Sequence, residues 1–155
     1  DHLNFKTLSL IAAQFPRIQL IGNYEVHQVF KMNHIANCGF DVVTDDYIFT
    51  PFACVHDVLV YGYTWQFEGK EIIYATDTST MKYAPEKQYD YFFIESNHDE
   101  QKLEAARNEA NKYGYDAYAG GKRHLSTQQA KIFYYMNRRN LEAEFIELHK
   151  SKRFY

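Results

Sequence analysis

Residues 47–78 read YIFTPFACVHDVLVYGYTWQFEGKEIIYATDT, and this stretch decides the fold. β-Branched and aromatic side chains dominate two runs within it, residues 47–56 and residues 58–67, as is typical of strands. A turn at Glu68-Gly69 joins the second run to a third short strand, which ends just before Asp77. The stretch therefore predicts paired consecutive strands whose ends carry polar side chains.

Outward from this stretch, the sequence alternates further predicted strands and helices. Residues 3–15 predict a helix that stops before Pro16, because proline cannot continue a helix. Ser126 and Gln129 have the spacing of a capping box, which predicts a helix that begins at Ser126 and runs to about residue 140. The remaining predicted elements are a helix at 100–113 and strands at 18–21, 89–94 and 143–148. This mixture predicts an α/β (or α+β) fold class.

Composition excludes several classes of protein. The 155 residues are 46% hydrophobic and 24% charged, a balance that supports one domain with its own core over residues 1–155. No apolar run approaches the roughly 18 residues of a membrane span, so we expect no membrane partner. Cys38 and Cys54 are too few for a disulfide scaffold, and we expect both to be free thiols in a reducing cytoplasm.

Charge is unevenly distributed along the chain. The formal net charge is −3, yet residues 120–155 carry eight Lys and Arg against three Asp and Glu. One interpretation is a solvated helix face. The other is that the C-terminal part faces an anionic substrate. Composition alone leaves both interpretations open.

Polar side chains gather just past the ends of the predicted strands, where sheet proteins place their sites. They are Asp77, Glu95, Asn97, His98 and His149, and His124 lies just before a predicted helix. The candidate metal ligands are Asp1, His2, His56, Asp77 and His149. Imidazole and carboxylate together suit Zn²⁺, Mn²⁺ or iron. Taken singly, each of these residues is more often an ordinary hydrogen-bonded side chain, so the prediction depends on their combination and order.

Several segments resemble motifs of the metallo-β-lactamase superfamily. Residues 51–63, PFACVHDVLVYGY, resemble its third motif, in which a strand delivers a histidine ligand ahead of a Gly-aromatic pair. Residues 75–78, ATDT, resemble the fourth motif, which supplies an aspartate that bridges two metals. Residues 148–151, LHKS, resemble the fifth motif and its last histidine ligand. The opening Asp1-His2 resembles the end of the H-x-H-x-D-H signature.

Two further segments resemble one branch of that superfamily. Residues 93–99, FIESNHD, and residues 123–126, RHLS, are similar to the YycJ (WalJ) branch of single-domain, nuclease-like proteins. The resemblance implies a metallo-β-lactamase-like αββα sandwich. Residues 1–155 would then be the C-terminal two-thirds of that fold. The N-terminal part, with the first two histidines of the signature, is expected to precede Asp1.

The resemblance also implies roles for individual residues. Two divalent transition metals, zinc or manganese, would be held by Asp1, His2, His56, Asp77 and His149. Asp77 would bridge them, Asp1 would orient the hydroxide that they activate, and His124 would be the general acid. The expected substrate-binding or supporting residues are Glu95, Asn97, His98, Lys122, Arg123 and Ser126. Gly120-Gly121 would give a flexible cradle for phosphate, although an ordinary surface loop is the alternative.

Three functions follow from these expectations. The first is a metal-dependent phosphodiesterase that acts on nucleic acid or on a nucleotide, including a cyclic one. The second is a hydrolase of the same fold that cleaves a lactam, lactone or thioester and does not need His124. The third is a non-catalytic binding module that kept the fold. A cytoplasmic phage or bacterial enzyme, with a homodimer as one expected assembly, fits the composition.

Overall fold

Six strands form one mixed sheet, in which each strand pairs with the next one along the chain. The computed structural model describes residues 3–108 and 116–155. The strands are β3 (Val42–Val43), β4 (Ile48–Cys54), β5 (Val60–Phe67), β6 (Lys70–Ala75), β7 (Tyr91–Glu95) and β8 (Glu144–Leu148). Neighbours from β3 to β6 are antiparallel, whereas β6, β7 and β8 run parallel. The predicted α/β class is therefore confirmed.

The three strands predicted from residues 47–78 are β4, β5 and β6. Glu68 and Gly69 join the last two strands and have φ angles of 49° and 75°. Positive φ at both central residues suits the tight hairpin turn that follows the twist of its strands. In the neighbouring pair, Gly62 lies opposite Phe52, whose ring fills the space that a side chain at Gly62 would occupy. The ring of Phe52 can therefore be buried in the core.

Replacing Gly62 with Ala is expected to destabilise the protein. An added Cβ would lie 2.2 Å from Cζ of Phe52, so the buried ring would have to move. Overpacking of this kind costs about 1–3 kcal/mol. Urea unfolding of the full-length chain measures the loss. Gly120→Ala is the matched control, because its Cβ would meet nothing within 4 Å; equal unfolding free energies for the two variants would contradict the prediction.

Helices α1 (Phe5–Gln14) and α2 (Tyr24–Val29) lie in the first part of the chain. α1 ends before Pro16 as predicted, and Asn4 caps it by accepting a hydrogen bond from the Thr7 N–H. α2 was not predicted. The predicted strand at residues 18–21 is reduced to the pair β1 (Ile21–Gly22) and β2 (His34–Ile35), which run parallel.

Three helices lie in the second part of the chain. They are α3 (Glu100–Ala105), followed by a 3₁₀ turn at Ala106–Asn108, α4 (Ala117–Gly121) and α5 (Thr127–Asn137). The helix predicted at 100–113 is thus confirmed only in its first half, since residues 109–113 lie outside the described ranges. The predicted capping box of α5 is present. α5 ends earlier than predicted because the backbone at Arg138 is extended.

The expectation of a flexible loop at Gly120-Gly121 was wrong. Both glycines belong to α4. Gly121 is buried against Leu103, so that a Cβ there would lie 2.5 Å from a Leu103 methyl carbon. Leu103 belongs to a small second core that includes Ala117 and Phe154. Glycine at this position therefore serves close packing between α3 and α4.

The main core lies between one face of the sheet and α5. Its fully buried side chains include Ile73, Phe92 and Ile94 from the sheet and Ala130 from α5. On the opposite face, half-buried aromatic side chains line an apolar cavity of about 240 Å³. That cavity is bounded by Ile21, Phe49, Tyr63, Trp65 and Tyr74. Among residues 3–108 and 116–155, no helix has the length and apolarity needed to cross a membrane.

Candidate metal centre

Four strands deliver polar side chains to one edge of the sheet. β4, β6, β7 and β8 point the same way, because β4 and β6 are each antiparallel to β5 and the last three are parallel. Their carboxyl ends carry His56, Asp77, Glu95 and His149. The fifth member, His124, lies between α4 and α5. These strand ends and the loop before α5 therefore bring the five side chains together.

Asp77 lies at the centre of this cluster. Its Oδ1 is 3.4 Å from Nδ1 of His149, 3.6 Å from Nε2 of His56 and 3.9 Å from Nδ1 of His124. These separations are too long for hydrogen bonds. Oδ1 is buried, and within the described ranges it has no hydrogen-bond partner. A buried carboxylate oxygen without a partner is costly, so this position suits a bound cation.

Backbone conformation supports the same arrangement. Asp77 and His149 both have positive φ angles, 53° and 51°, although neither is glycine. Such left-handed residues are uncommon and occur where the surrounding structure holds them. At Asp77 and His149 the chain turns directly after β6 and β8, so that both side chains project over the sheet edge.

Glu95 is the buried carboxylate that contacts the histidines of the cluster. It is the last residue of β7 and is fully buried. Its Oε1 lies 2.6 Å from Nδ1 of His124 and 3.0 Å from Nδ1 of His149, while Oε2 accepts the Thr78 N–H at 2.9 Å. One buried carboxylate therefore contacts two imidazoles and accepts a hydrogen bond from the turn that carries Asp77.

Two overlapping sets of side chains could each hold a metal ion. The first is His56, Asp77 and His124, and the second is Glu95, His124 and His149. Within each set the ligand atoms lie within 4.8 Å of one another. The imidazoles meet edge to face, with ring centroids 5.2 Å apart for His56 and His124 and 5.0 Å apart for His124 and His149. Imidazole and carboxylate donors match the expected zinc or manganese.

The environment of His124 favours its protonated form. The contact with the Glu95 carboxylate raises the pKa of His124, and the charge of Asp77 acts in the same direction. Burial opposes both effects. In contrast, burial lowers the pKa of His98, which the nearby Lys122 lowers further. The two histidines therefore have opposite charge preferences.

Three predicted substrate-binding residues make internal contacts. Asn97 donates from Nδ2 to the main-chain carbonyl of His149 at 2.8 Å. His98 is 3% exposed, and its carbonyl accepts the Thr127 N–H. The Ser126 hydroxyl donates to Glu100 at 2.6 Å while it caps α5. These main-chain and side-chain contacts connect the turns of the site, and two of the first amides of α5, those of Thr127 and Gln129, are engaged.

Cationic side chains border an open cleft of about 250 Å³ beside His124 and His149. Arg123 and Lys150 line it. Lys122, expected to contact phosphate, lies 5.6 Å from the ring centroid of Tyr118, and Lys150 lies 4.1 Å from that of Tyr155. Lys150 was not predicted to lie at this cleft. The available signal in the sequence was its position directly after His149.

Sequence reasoning also missed Asp57. Its carboxylate contacts both Nδ1 of His56 and Nη1 of Arg123. The available signal in the sequence was the position of this charged residue directly after the candidate ligand His56. Asp1 and His2, the expected ligands at the start of the chain, lie outside the described ranges, and their roles stay predictions.

Comparisons with known proteins identify the fold. No protein-family model matches the chain, and no curated protein matches it in sequence. Among solved structures, it is similar to the metallo-β-lactamase fold protein YhfI from Bacillus subtilis, with a TM-score of 0.58 and 14% identity over 85% of this chain and 52% of the YhfI chain. It is also similar to the short form of human tRNase Z (ELAC1), with a TM-score of 0.57 and 14% identity over 97% of this chain and 69% of the other.

The chain has the metallo-β-lactamase fold, as the motifs predicted. It spans about half the length of the YhfI chain. At 14% identity the similarity establishes the fold and leaves the chemistry to be argued from the site itself.

Proposed function

We propose that the protein is a metal-dependent phosphodiesterase of the YycJ-like kind that acts on nucleic acid or on a nucleotide. The observation that carries this proposal is the buried, unpartnered Oδ1 of Asp77 among three imidazoles. His56, Asp77 and His149 would hold the metals, with Asp1 and His2 as the expected further ligands. Bound divalent metals supply Lewis-acid stabilisation of phosphoryl oxygens and lower the pKa of a coordinated water.

The residues beside the cluster suit a phosphodiester. Glu95 faces Nδ1 of His124, which leaves the opposite ring nitrogen to serve the substrate. A protonated imidazole held in this way can donate a proton to the leaving oxygen. Arg123 and Lys150 line the adjoining cleft, where the negative phosphate would lie, and each is paired there with a carboxylate, of Asp57 and Glu147 respectively. The human tRNase Z named above is a nuclease by its title, and this is consistent with the proposal.

The leaving group provides a sharp test of this function. An alkoxide needs a proton as it departs, whereas p-nitrophenolate leaves without one. We therefore expect His124→Gln to lower turnover of a short single-stranded oligonucleotide by about 10²–10⁴-fold. Turnover of bis-p-nitrophenyl phosphate should fall far less. The measurements use metal-loaded full-length protein, with cyclic nucleotides as additional substrates.

His34→Gln is the matched control, because His34 bonds to Gln19 outside the cluster. A wild-type protein that turns over no phosphodiester with any divalent metal would overturn the proposal. If His124→Gln leaves p-nitrophenyl acetate hydrolysis intact and only that substrate is cleaved, the lactone or thioester class is favoured. Binding of less than one equivalent of metal would favour a non-catalytic module. The expected homodimer and the phage or bacterial setting stay predictions.

A further inference from the structure

Nδ1 of His56 faces two groups of the next residue. The main-chain N–H of Asp57 lies 2.8 Å from it, and Oδ1 of the Asp57 carboxylate is in direct contact with it. The two groups demand opposite tautomers. An N–H donor needs a lone pair on Nδ1, which places the ring proton on Nε2. A carboxylate acceptor needs the proton on Nδ1, which leaves the lone pair on Nε2.

Nε2 is the nitrogen that faces the candidate metal centre. It lies 3.6 Å from Oδ1 of Asp77. A metal ligand must present a lone pair, so His56 can serve the centre through Nε2 only when its proton is on Nδ1. A group that fixes the tautomer of His56 therefore determines whether His56 can bind a metal through Nε2.

We propose that Asp57 is a positioning residue whose carboxylate selects the Nδ1–H tautomer of His56 and so turns the Nε2 lone pair toward Asp77. This inference rests on the proposed metal centre. A hydrogen bond to an ionised carboxylate is stronger than one from a neutral amide, so the carboxylate prevails over the main-chain N–H. Carboxylates commonly fix the orientation and tautomer of ligating histidines in this way.

Arg123 holds the Asp57 carboxylate in place. Its guanidinium contacts Oδ2, the oxygen that does not face His56. Arg123 directly precedes His124, whose ring centroid lies 5.2 Å from that of His56. The bridge from His56 through Asp57 to Arg123 therefore joins the loop after β4 to the turn that carries His124, and it sets the spacing of the two imidazoles.

The exposure of the bridge makes it testable without loss of the fold. The side chains of Asp57 and Arg123 are 48% and 54% exposed. Exposed ion pairs contribute little to stability, so removing one should leave the protein folded. Asp46, an exposed carboxylate in the turn before β4, provides the matched control.

The first arm of the test reads the tautomer. Long-range ¹H–¹⁵N spectra of metal-free, full-length protein with labelled histidine distinguish Nδ1–H from Nε2–H, and His56→Gln identifies the signal. The wild type and Asp46→Asn should show His56 protonated on Nδ1. Asp57→Ala, which keeps only the main-chain donor, should show the proton on Nε2. Nε2–H in the wild type, or an unchanged tautomer in Asp57→Ala, would overturn the inference whether or not metal binds.

The second arm reads metal affinity. Competition with a chromophoric chelator should show zinc binding weakened by about 10–100-fold in Asp57→Ala, the range for residues that orient ligands. Arg123→Gln should give a smaller loss, and Asp46→Asn none. Equal affinities for the wild type and Asp57→Ala would overturn the inference. A wild type that binds no zinc would overturn the proposed function instead, so the two failures are distinguishable.

Discussion

Replacing Asp77 with Asn is expected to weaken divalent metal binding by more than about 100-fold, beyond the 10–100-fold typical of residues that only orient ligands. Oδ1 of Asp77 lies 3.4–3.9 Å from a ring nitrogen of each of the three imidazoles, and it carries the charge that would offset a cation. The amide of Asn is neutral, so the attraction is lost while the size of the side chain is kept. Isothermal titration with zinc or manganese measures the effect.

In the metal-free protein, the Asp77→Asn substitution is expected to maintain or raise the stability of the fold. A buried carboxylate oxygen without a partner destabilises the fold, and a neutral amide removes that cost. At a pH above the folded-state pKa of His124, where Asp77 no longer faces a protonated His124, thermal unfolding should therefore show metal-free Asp77→Asn at least as stable as the wild type. Saturating metal stabilises a binding protein by about 2.7 kcal/mol at 100 times Kd, and this gain should be absent from Asp77→Asn.

Asp46→Asn is the control for a simple change of net charge, and it should keep the full metal-dependent gain. An Asp77→Asn variant that still shows the wild-type gain would mean that Asp77 is not a ligand. Loss of stability in the metal-free variant would mean that Asp77 has a partner in the folded protein.

The parts of the site that follow from strand direction could be predicted from sequence. His56, Asp77 and His149 each lie within two residues of the end of a short apolar strand, and strands that point the same way bring their carboxyl ends to one edge. Glu95 could be expected at that edge for the same reason. The contact of its carboxylate with two imidazoles depends on side-chain directions that no periodicity encodes.

The parts that depend on tertiary packing could not be predicted. Gly120-Gly121 has low intrinsic helix propensity, yet both residues are helical because α4 packs closely on Leu103. The capping box at Ser126 was predicted correctly. Its hydroxyl, which was expected to contact the substrate, instead accepts the Gln129 N–H and donates to Glu100. Asp57 could not be distinguished from an ordinary loop residue, since its partner Arg123 is 66 residues away in sequence.

Glu95→Gln is expected to lower turnover of an unactivated phosphodiester by about 10–100-fold, the usual effect of losing a residue that orients ligands. The change keeps the size of the side chain and the acceptor for the Thr78 N–H, but it removes the negative charge beside His124 and His149. The pKa of His124 should then fall, so a smaller fraction of the protein carries the proton that the general acid must donate. Steady-state rates with an oligonucleotide measure the loss, and Glu142→Gln, at an exposed position, is the control.

The stability of the metal-free protein should reveal the same interaction through its pH dependence. Contact with Glu95 raises the pKa of His124 in the folded state above its ordinary value of 6.5, although burial opposes this shift. The folded state therefore binds the proton more tightly than the unfolded state does. The resulting stabilisation is full below pH 6.5 and is lost as the pH rises through the folded-state pKa.

In Glu95→Gln this dependence above pH 6.5 should flatten, because the main cause of the raised pKa is gone. His98 does not obscure the comparison. Its pKa is lowered, so it reduces stability only as the pH falls below its ordinary value of 6.5. Urea unfolding of metal-free protein between pH 6 and pH 9 measures both slopes. Identical slopes for the wild type and Glu95→Gln above pH 6.5 would show that Glu95 does not hold the His124 proton.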